Sequence, residues 1–338
     1  MKDKGLIVYQ QRKQPRLPLE RKYSRYLFYH FPIRARCLPE HMIQPCRAAS
    51  ASSASRSRGR RNAGSSVTAS REVEIGKFPL SLTANLSGHV NATGDMALIV
   101  PSYVFAARVL GGQAAISVTG LYGHSPASLA ATLSGTLNGS SFSRSDSISD
   151  SVTGFGDLYP QFSLRWNAGV HNFMTYMTGD VPVGAYDSTR LANLGIGHGA
   201  VDGGVGYTYF NPKTGHEFSV VTGLTGNFEN PTTHYQNGLD FHVDWGASQF
   251  LSKQLHVGLV GYDYEQVTGD SGPGARLGSF KSRVNAIGPQ IGYLFPVGDM
   301  QGYLNLKGYK EFAAENRTEG WNAWLTFSIS PSAPSPGG

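Results

Sequence analysis

The chain has 338 residues, and its formal charge of +6 conceals two unlike parts: residues 1–70 hold 15 Lys+Arg against 3 Asp+Glu, a charge of +12, and residues 71–338 hold 14 against 20, a charge of −6. A function built on a basic surface, nucleic-acid binding above all, would rest on the first fifth alone. Both cysteines, Cys37 and Cys46, lie there too, so the rest has no thiol nucleophile and no cysteine metal site, and no run of 18 apolar residues supports a membrane-spanning helix.

Residues 1–70 show no sustained period of 2 or 3.6, and the basic run Arg56–Arg61 (RSRGRR) leads into small polar residues. The composition predicts a disordered segment in preference to a basic arm for nucleic acid or anionic lipid. A secretory signal needs an apolar core of about 7–15 residues, and LIVY at 6–9 is too short. The expectation is therefore that the start of the reading frame is misassigned and that the true signal sequence is missing.

From Glu72 the pattern becomes that of strands. In 158–166, Leu158, Pro160, Phe162, Leu164 and Trp166 alternate with Tyr159, Gln161, Ser163 and Arg165. In 201–209, Val201, Val205, Tyr207 and Tyr209 oppose Asp202 and Thr208; in 239–248, Leu239, Phe241, Val243, Trp245 and Ala247 oppose Asp240, His242, Asp244 and Ser248. In 321–330, Trp321, Ala323, Leu325, Phe327 and Ile329 oppose Asn322, Thr326 and Ser328. Successive strand side chains point to opposite faces, so each window has one apolar and one polar face.

About twelve strands follow, near 72–87, 95–108, 112–138, 156–166, 170–180, 200–210, 215–228, 238–250, 255–267, 282–295, 301–312 and 320–330. Most have the length that a tilted strand needs to cross hydrocarbon. The third is long, with a candidate break at Ser125-Pro126. The connections alternate after the second strand. Short ones at 109–111, 167–169, 211–215, 251–254 and 296–300 are interleaved with long ones at 139–155, 181–199, 229–237, 268–281 and 313–319. That is the rhythm of short periplasmic turns and long outer loops in an outer-membrane barrel. A soluble sandwich or propeller also gives many short strands, but not this alternation. The main part also carries 39 of the 42 glycines and all four tryptophans.

The fold class expected is therefore all-β: an antiparallel transmembrane β-barrel of about twelve strands over 71–331, after a disordered or misassigned segment 1–70 and before a flexible tail 332–338. In such a barrel the apolar parity faces lipid and the polar parity the lumen. Arg165, Asp202, Asp240, His242, Asp244 and Lys307 are then the candidate lumen-facing residues. Trp166, Tyr207, Tyr209, Phe210, Trp245, Tyr303, Tyr309 and Trp321 lie near strand ends and suit the aromatic girdles at the two membrane interfaces.

Three motifs could carry chemistry. Gly269-Asp270-Ser271-Gly272 matches the surroundings of a serine-protease nucleophile, but the required His base is not in a matching motif. Gly195–Gly199 (GIGHG) resembles a nucleotide-binding glycine run, yet it leads into a strand and opens no helix. His242 with Asp240 and Asp244 could bind metal or move protons; on a wall facing water the same residues are a solvated polar face. No cofactor, metal or catalytic residue is expected.

The strings TGFGDLYPQFSLRWNAGVHNFMTYMTGDVPVGAYD (153–187), NLGIGHGAVDGGVGYTYFNPKTGHEFS (193–219), NFENPTTHYQNGLDFHVDWGASQFLS (227–252), VGLVGYDYEQVTGDSGPGARLGSFKSRVNAIGPQIGYLFP (257–296) and WNAWLTFSISP (321–331) resemble the family called putative MetA-pathway of phenol degradation, over roughly 71–331. The resemblance implies an outer-membrane barrel associated with transport of aromatic or other hydrophobic compounds. It carries over no catalytic residues. The chain departs from the family pattern in residues 1–70 and in ending on PSAPSPGG.

The function expected is passive passage of small hydrophobic or aromatic compounds through the outer membrane of a Gram-negative bacterium. The partners are the lipid bilayer and the solute, with no nucleic acid. Loop 268–281, with five glycines and prolines and with Asp270, Arg276 and Lys281, is the candidate gate. A structural or adhesive barrel and an outer-membrane hydrolase are the alternatives.

Overall fold

The computed structural model describes residues 32–33, 49–50, 55–59, 69–73, 82–137, 140–276, 278–298 and 300–331. Among them all regular structure is strand. In chain order these are β1 (Pro32–Ile33), β2 (Ala49–Ser50), β3 (Ser55–Gly59), β4 (Ala69–Val73), β5 (Leu82–Ala92), β6 (Gly94–Ile99), β7 (Ser102–Val109), β8 (Gly112–Leu137), β9 (Ser140–Ala168), β10 (His171–Asp180), β11 (Ala200–Asn211), β12 (His216–Asn227), β13 (Asp240–Phe250), β14 (Leu255–Gln266), β15 (Arg283–Val297), β16 (Met300–Glu315) and β17 (Trp321–Pro331).

From β8 to β17 each strand pairs antiparallel with its neighbour in sequence. The ladder then returns on itself. Leu325 and Thr326 of β17 pair with Arg56 and Ser55 of β3, β3 pairs with β6 along its length, and β6 pairs with β8 at Asp95–Ile99. With β6 and β7 taken as one strand bent at Val100-Pro101, twelve strands ring the barrel. A spanning sheet in hydrocarbon has no water to satisfy a free edge, so closure is the condition for crossing at all.

The short turns keep one end of the ring tight. Gly169 and Gly215 take φ of 70° and 74° there, a left-handed conformation open to glycine at little cost. At the other end lie the long connections.

Side-chain direction is the reverse of a soluble sheet. Val205 is 57% exposed and Leu306 51%, whereas Asp202 is 6% and Lys307 4%. Along β17, Trp321, Leu325 and Ile329 are exposed while Asn322, Thr326 and Ser328 are buried. Exposed apolar side chains continue around the wall through Phe162, Phe173, Val201, Phe218, Leu259 and Ile291. A belt of this extent in contact with water would be a large uncompensated apolar surface; against lipid it is the membrane-facing band.

Three expectations need correcting. Of the long connection set at 139–155, residues 140–155 are strand. β8 and β9 form a hairpin of 26 and 29 residues that runs in register from Leu137–Ser140 down to Gln113–Arg165, interrupted by a bulge near Gly120. Ser140–Ser151 is exposed on both faces, so no period-2 contrast marks it. The expected break at Ser125-Pro126 is absent: Pro126 stays in register with Ser151 and accepts from the Thr93 amide at 3.0 Å. Finally, Phe210, Tyr303 and Tyr309 are buried on the inner face and are not girdle residues; they share parity with Asp202 and Lys307. Tyr207, Tyr209, Trp166, Trp245 and Trp321 do lie on the outer parity.

The strand β3 lies within the segment 1–70 that the sequence set apart. Removing residues 1–60 is therefore expected to leave β17 and β6 with unpaired edges, and removing 1–53 to leave the ring intact. Heat-modifiable migration and urea unfolding in lipid would separate the two; equal folding of both truncations would show that β3 is dispensable.

The facing of the wall also has an energetic consequence. Val205→Arg is expected to lower barrel stability by about 2–4 kcal/mol, the cost of Arg on the lipid face near the midplane, and Thr208→Ser at a buried inner position by far less. Comparable losses in reversible unfolding from vesicles would mean the two faces have been reversed.

Candidate functional site

The inner parity of β10–β13 brings Tyr176, Asp202, Thr225, His242 and Asp244 onto one patch of wall. His242 Nε2 lies 2.9 Å from Asp202 Oδ2 and 3.3 Å from the Tyr176 hydroxyl, and Nδ1 lies 3.6 Å from Asp244 Oδ2. Thr225 Oγ1 donates to the same Asp202 oxygen. Two glycines make the arrangement possible. A Cβ on Gly223 would fall against the Tyr176 hydroxyl and His242 Nε2, and one on Gly204 against the Tyr176 ring. Without side chains at those points the tyrosine ring lies along the wall and reaches two strands across.

Nearer the loop end, Asp240 accepts from Asn227 Nδ2 at 3.0 Å and from the Tyr264 hydroxyl at 2.8 Å. Glu311 accepts from the Tyr262 hydroxyl at 2.6 Å and the Gly320 amide at 2.8 Å. Arg317 enters from the connection before β17 and sits 4.8 Å from the centre of the Tyr264 ring, within cation–π range. At the turn end the inner face changes character. Phe210, Phe250, His256 and Tyr303 form a chain of rings with centroid separations of 5.2, 4.9 and 5.9 Å, and His256 Nε2 meets the Tyr303 hydroxyl at 3.0 Å.

The connection between β10 and β11, residues 181–199, folds inward. Ala192 and Leu194 are buried in a cluster with Met96, Leu98, Leu121 and Val152 from the inner face of β6, β8 and β9, and Trp324 of β17 packs against it. Two carboxylates of β9 hold it there. Asp157, fully buried, accepts from the Gly184 amide at 2.7 Å and the Ile196 amide at 3.0 Å. Asp150, on the part of β9 that rises beyond the membrane, takes Arg190 in a two-point grip, Nη2 at 3.0 Å and Nε at 3.2 Å, and also accepts from the Ala192 amide. Asn230 Nδ2 donates to the Tyr186 hydroxyl at 2.9 Å. The Asp150 carboxyl is held down at about 2, chiefly by its hydrogen bond from Arg190 and then by the Ala192 amide. Asp187 is lowered by the Thr189 amide and hydroxyl.

The family described as Putative MetA-pathway of phenol degradation matches residues 57–327. The chain belongs to this family. The family match opens inside β3 and closes inside β17, the two strands whose pairing shuts the ring. Among solved structures, an outer membrane channel from Pseudomonas putida F1 resembles the chain with a TM-score of 0.51 and 11% identity, over 82% of this chain and 95% of that one. At that identity the likeness concerns the fold. No curated protein matches the sequence.

In this family member Asp202, Asp240, His242, Asp244 and Lys307 are buried on the inner parity, and Arg165 is half-buried there, in register with Met174 and Gln113. Asp202, His242 and Asp244 come together; Asp240 joins a separate network with Tyr264. In the connection 268–281, Asp270 is buried and accepts from the Tyr235 hydroxyl and Gln266 Nε2, while Arg276 and Lys281 are exposed. This connection pairs with its neighbour through Gln236 and Ser271. Ser271 acts through its backbone, and the nearby His234 directs Nδ1 to Glu229 at 2.8 Å. Gly195–Gly199 leads into β11 without a helix, as the sequence indicated.

Sequence reasoning missed Asp150, Asp157 and the inward fold of 181–199. The signal available was an acid at each of two positions in β9 beside a connection rich in Leu, Ala and Gly. The Asp150 carboxyl titrates near 2 in the folded chain against an ordinary 3.8, so its grip is complete above 3.8 and is lost as pH falls through about 2. Amide exchange at 187–194 is expected to rise over that acid range, and at neutral pH in Asp150→Asn. Protection unchanged in both conditions would place the anchoring elsewhere.

Proposed function

We propose that the protein is an outer-membrane channel of a Gram-negative bacterium that lets small hydrophobic or aromatic compounds cross by diffusion. The observation that carries this reading is the inverted barrel wall: apolar outside, hydrogen-bonded polar residues inside. A polar interior of this kind is what a passage for solutes needs, whereas a purely structural barrel can fill its centre with apolar side chains. The family's description supports an aromatic class of solute, and the Pseudomonas channel supports passage as a use of this fold.

In this reading the connection 181–199 narrows the passage. It stands on the inner wall and is tied by Asp150 and Asp157, so its position sets the free cross-section. The connection 268–281 acts at the rim, where Asp270 joins it to Tyr235.

The test is reconstitution of the purified chain in planar bilayers. Discrete ion conductance is expected, with current block by added phenol. Replacing 186–194 by a short Gly-Ser linker is expected to raise the conductance while the barrel still shows heat-modifiable migration. Bilayers that stay silent with folded protein would sink the channel reading.

A further inference from the structure

The inner wall is divided along its axis. The turn-side half presents the ring chain Phe210–Phe250–His256–Tyr303 together with Asn172, Ser219 and Ser248, and among the described residues its inward charges are one of each sign, Glu217, which accepts from Ser219 Oγ at 3.1 Å, and Arg165. The loop-side half is acidic. Asp202, Asp240, Asp244 and Glu311 project from the wall, and Asp157 and Asp270 anchor the connections folded over it; all six are buried. Among the described residues the cations set against them within this half are Lys307 on β16 and Arg317 over Tyr264. The exposed pair Arg190–Asp150 cancels itself. The excess of carboxylates persists even when His242 is protonated between Asp202 and Asp244.

We infer that the outer half of the passage selects solutes by charge, admitting cations and neutral molecules and rejecting anions, so that the aromatic compounds it carries are phenols or amines and not carboxylates. The inference rests on the channel reading and assigns its solute class. Fixed charges of one sign on a narrow wall with low-dielectric sides focus the field into the lumen and raise the local concentration of the opposite ion. A benzoate-like anion entering from the loop side meets four wall carboxylates before it reaches the aromatic floor. A phenol meets no such barrier, and its hydroxyl can exchange hydrogen bonds with Tyr176, Tyr262 and Tyr264, whose hydroxyls already bond to His242, Glu311 and Asp240 along the route.

The experiment uses the full chain in planar bilayers under a KCl gradient. The expected reversal potential lies toward the K+ equilibrium value, with K+ several-fold more permeant than Cl−. Replacing K+ by benzylammonium should preserve much of the current, and replacing Cl− by benzoate should change it little. The variant Asp202→Asn, Asp244→Asn, Glu311→Gln should bring the K+/Cl− ratio toward unity. Should that variant fail to assemble, the unmodified chain gives the same information: its selectivity should weaken as salt rises to about 1 M, where the Debye length is about 3 Å. A reversal potential near zero or on the Cl− side at low salt, or benzoate carried as readily as benzylammonium, overturns the inference while leaving a channel. Absence of any conductance overturns the channel reading itself.

Discussion

A strand that crosses hydrocarbon must hand every backbone amide and carbonyl to another strand, because the solvent outside accepts none of them. The rest of this structure follows from that demand. The ladder from β8 to β17 satisfies it for ten strands in simple sequence order. The last gap, between β17 and β8, is filled by β6 and by the five residues of β3 drawn from a basic segment with no strand signature. Once the ring is closed, the side-chain period of two separates the chain into an outer and an inner set, and the two solvents decide which set is apolar.

The inner set poses a packing problem of its own. Aromatic and imidazole rings are too long to stand upright everywhere in a lumen of twelve strands. The abundant glycine answers it: Gly204 and Gly223 leave hollows beneath Tyr176 and His242, and Gly292 leaves one beneath His256. The rings lie along the wall and their polar atoms meet partners on strands beyond the adjacent one. Glycine content that weakens an ordinary sheet by lost entropy here sets the path of the polar network. Its cost is offset by hydrogen bonds made in a low-dielectric interior, where an unmet partner would be expensive.

The connections at the loop end are fixed by buried carboxylates in the same way. Asp157 takes the backbone amides of Gly184 and Ile196 and so defines the entry and exit of one inward segment. Asp270 plays the equivalent part at the rim through Tyr235 and Gln266. Asp270, in the Gly269–Gly272 string that reads as candidate chemistry in the sequence, is thus used to hold a connection in place.

Much of this was legible in the linear sequence for a physical reason: in a one-layer wall between two solvents, parity alone states which residues meet lipid. Asp202, Asp240, His242, Asp244 and Lys307 could be placed on one face without any knowledge of the fold's closure, and the windows at 201–209 and 321–330 marked the strand boundaries almost unaided. The sequence could not reveal Ser140–Ser151 as strand, since a hairpin wet on both faces has no contrast to display. The inward turn of Phe210, Tyr303 and Tyr309 was legible by the same rule, since they share parity with Asp202 and Lys307; assigning aromatics near strand ends to the girdles overrode it. The tertiary structure alone decided the pairing of β3 into the ring, the meeting of Tyr176 with His242 across two strands, and the fold of 181–199 against Asp150 and Asp157. Each joins residues far apart in the chain, through barrel curvature and strand stagger, which no local period records.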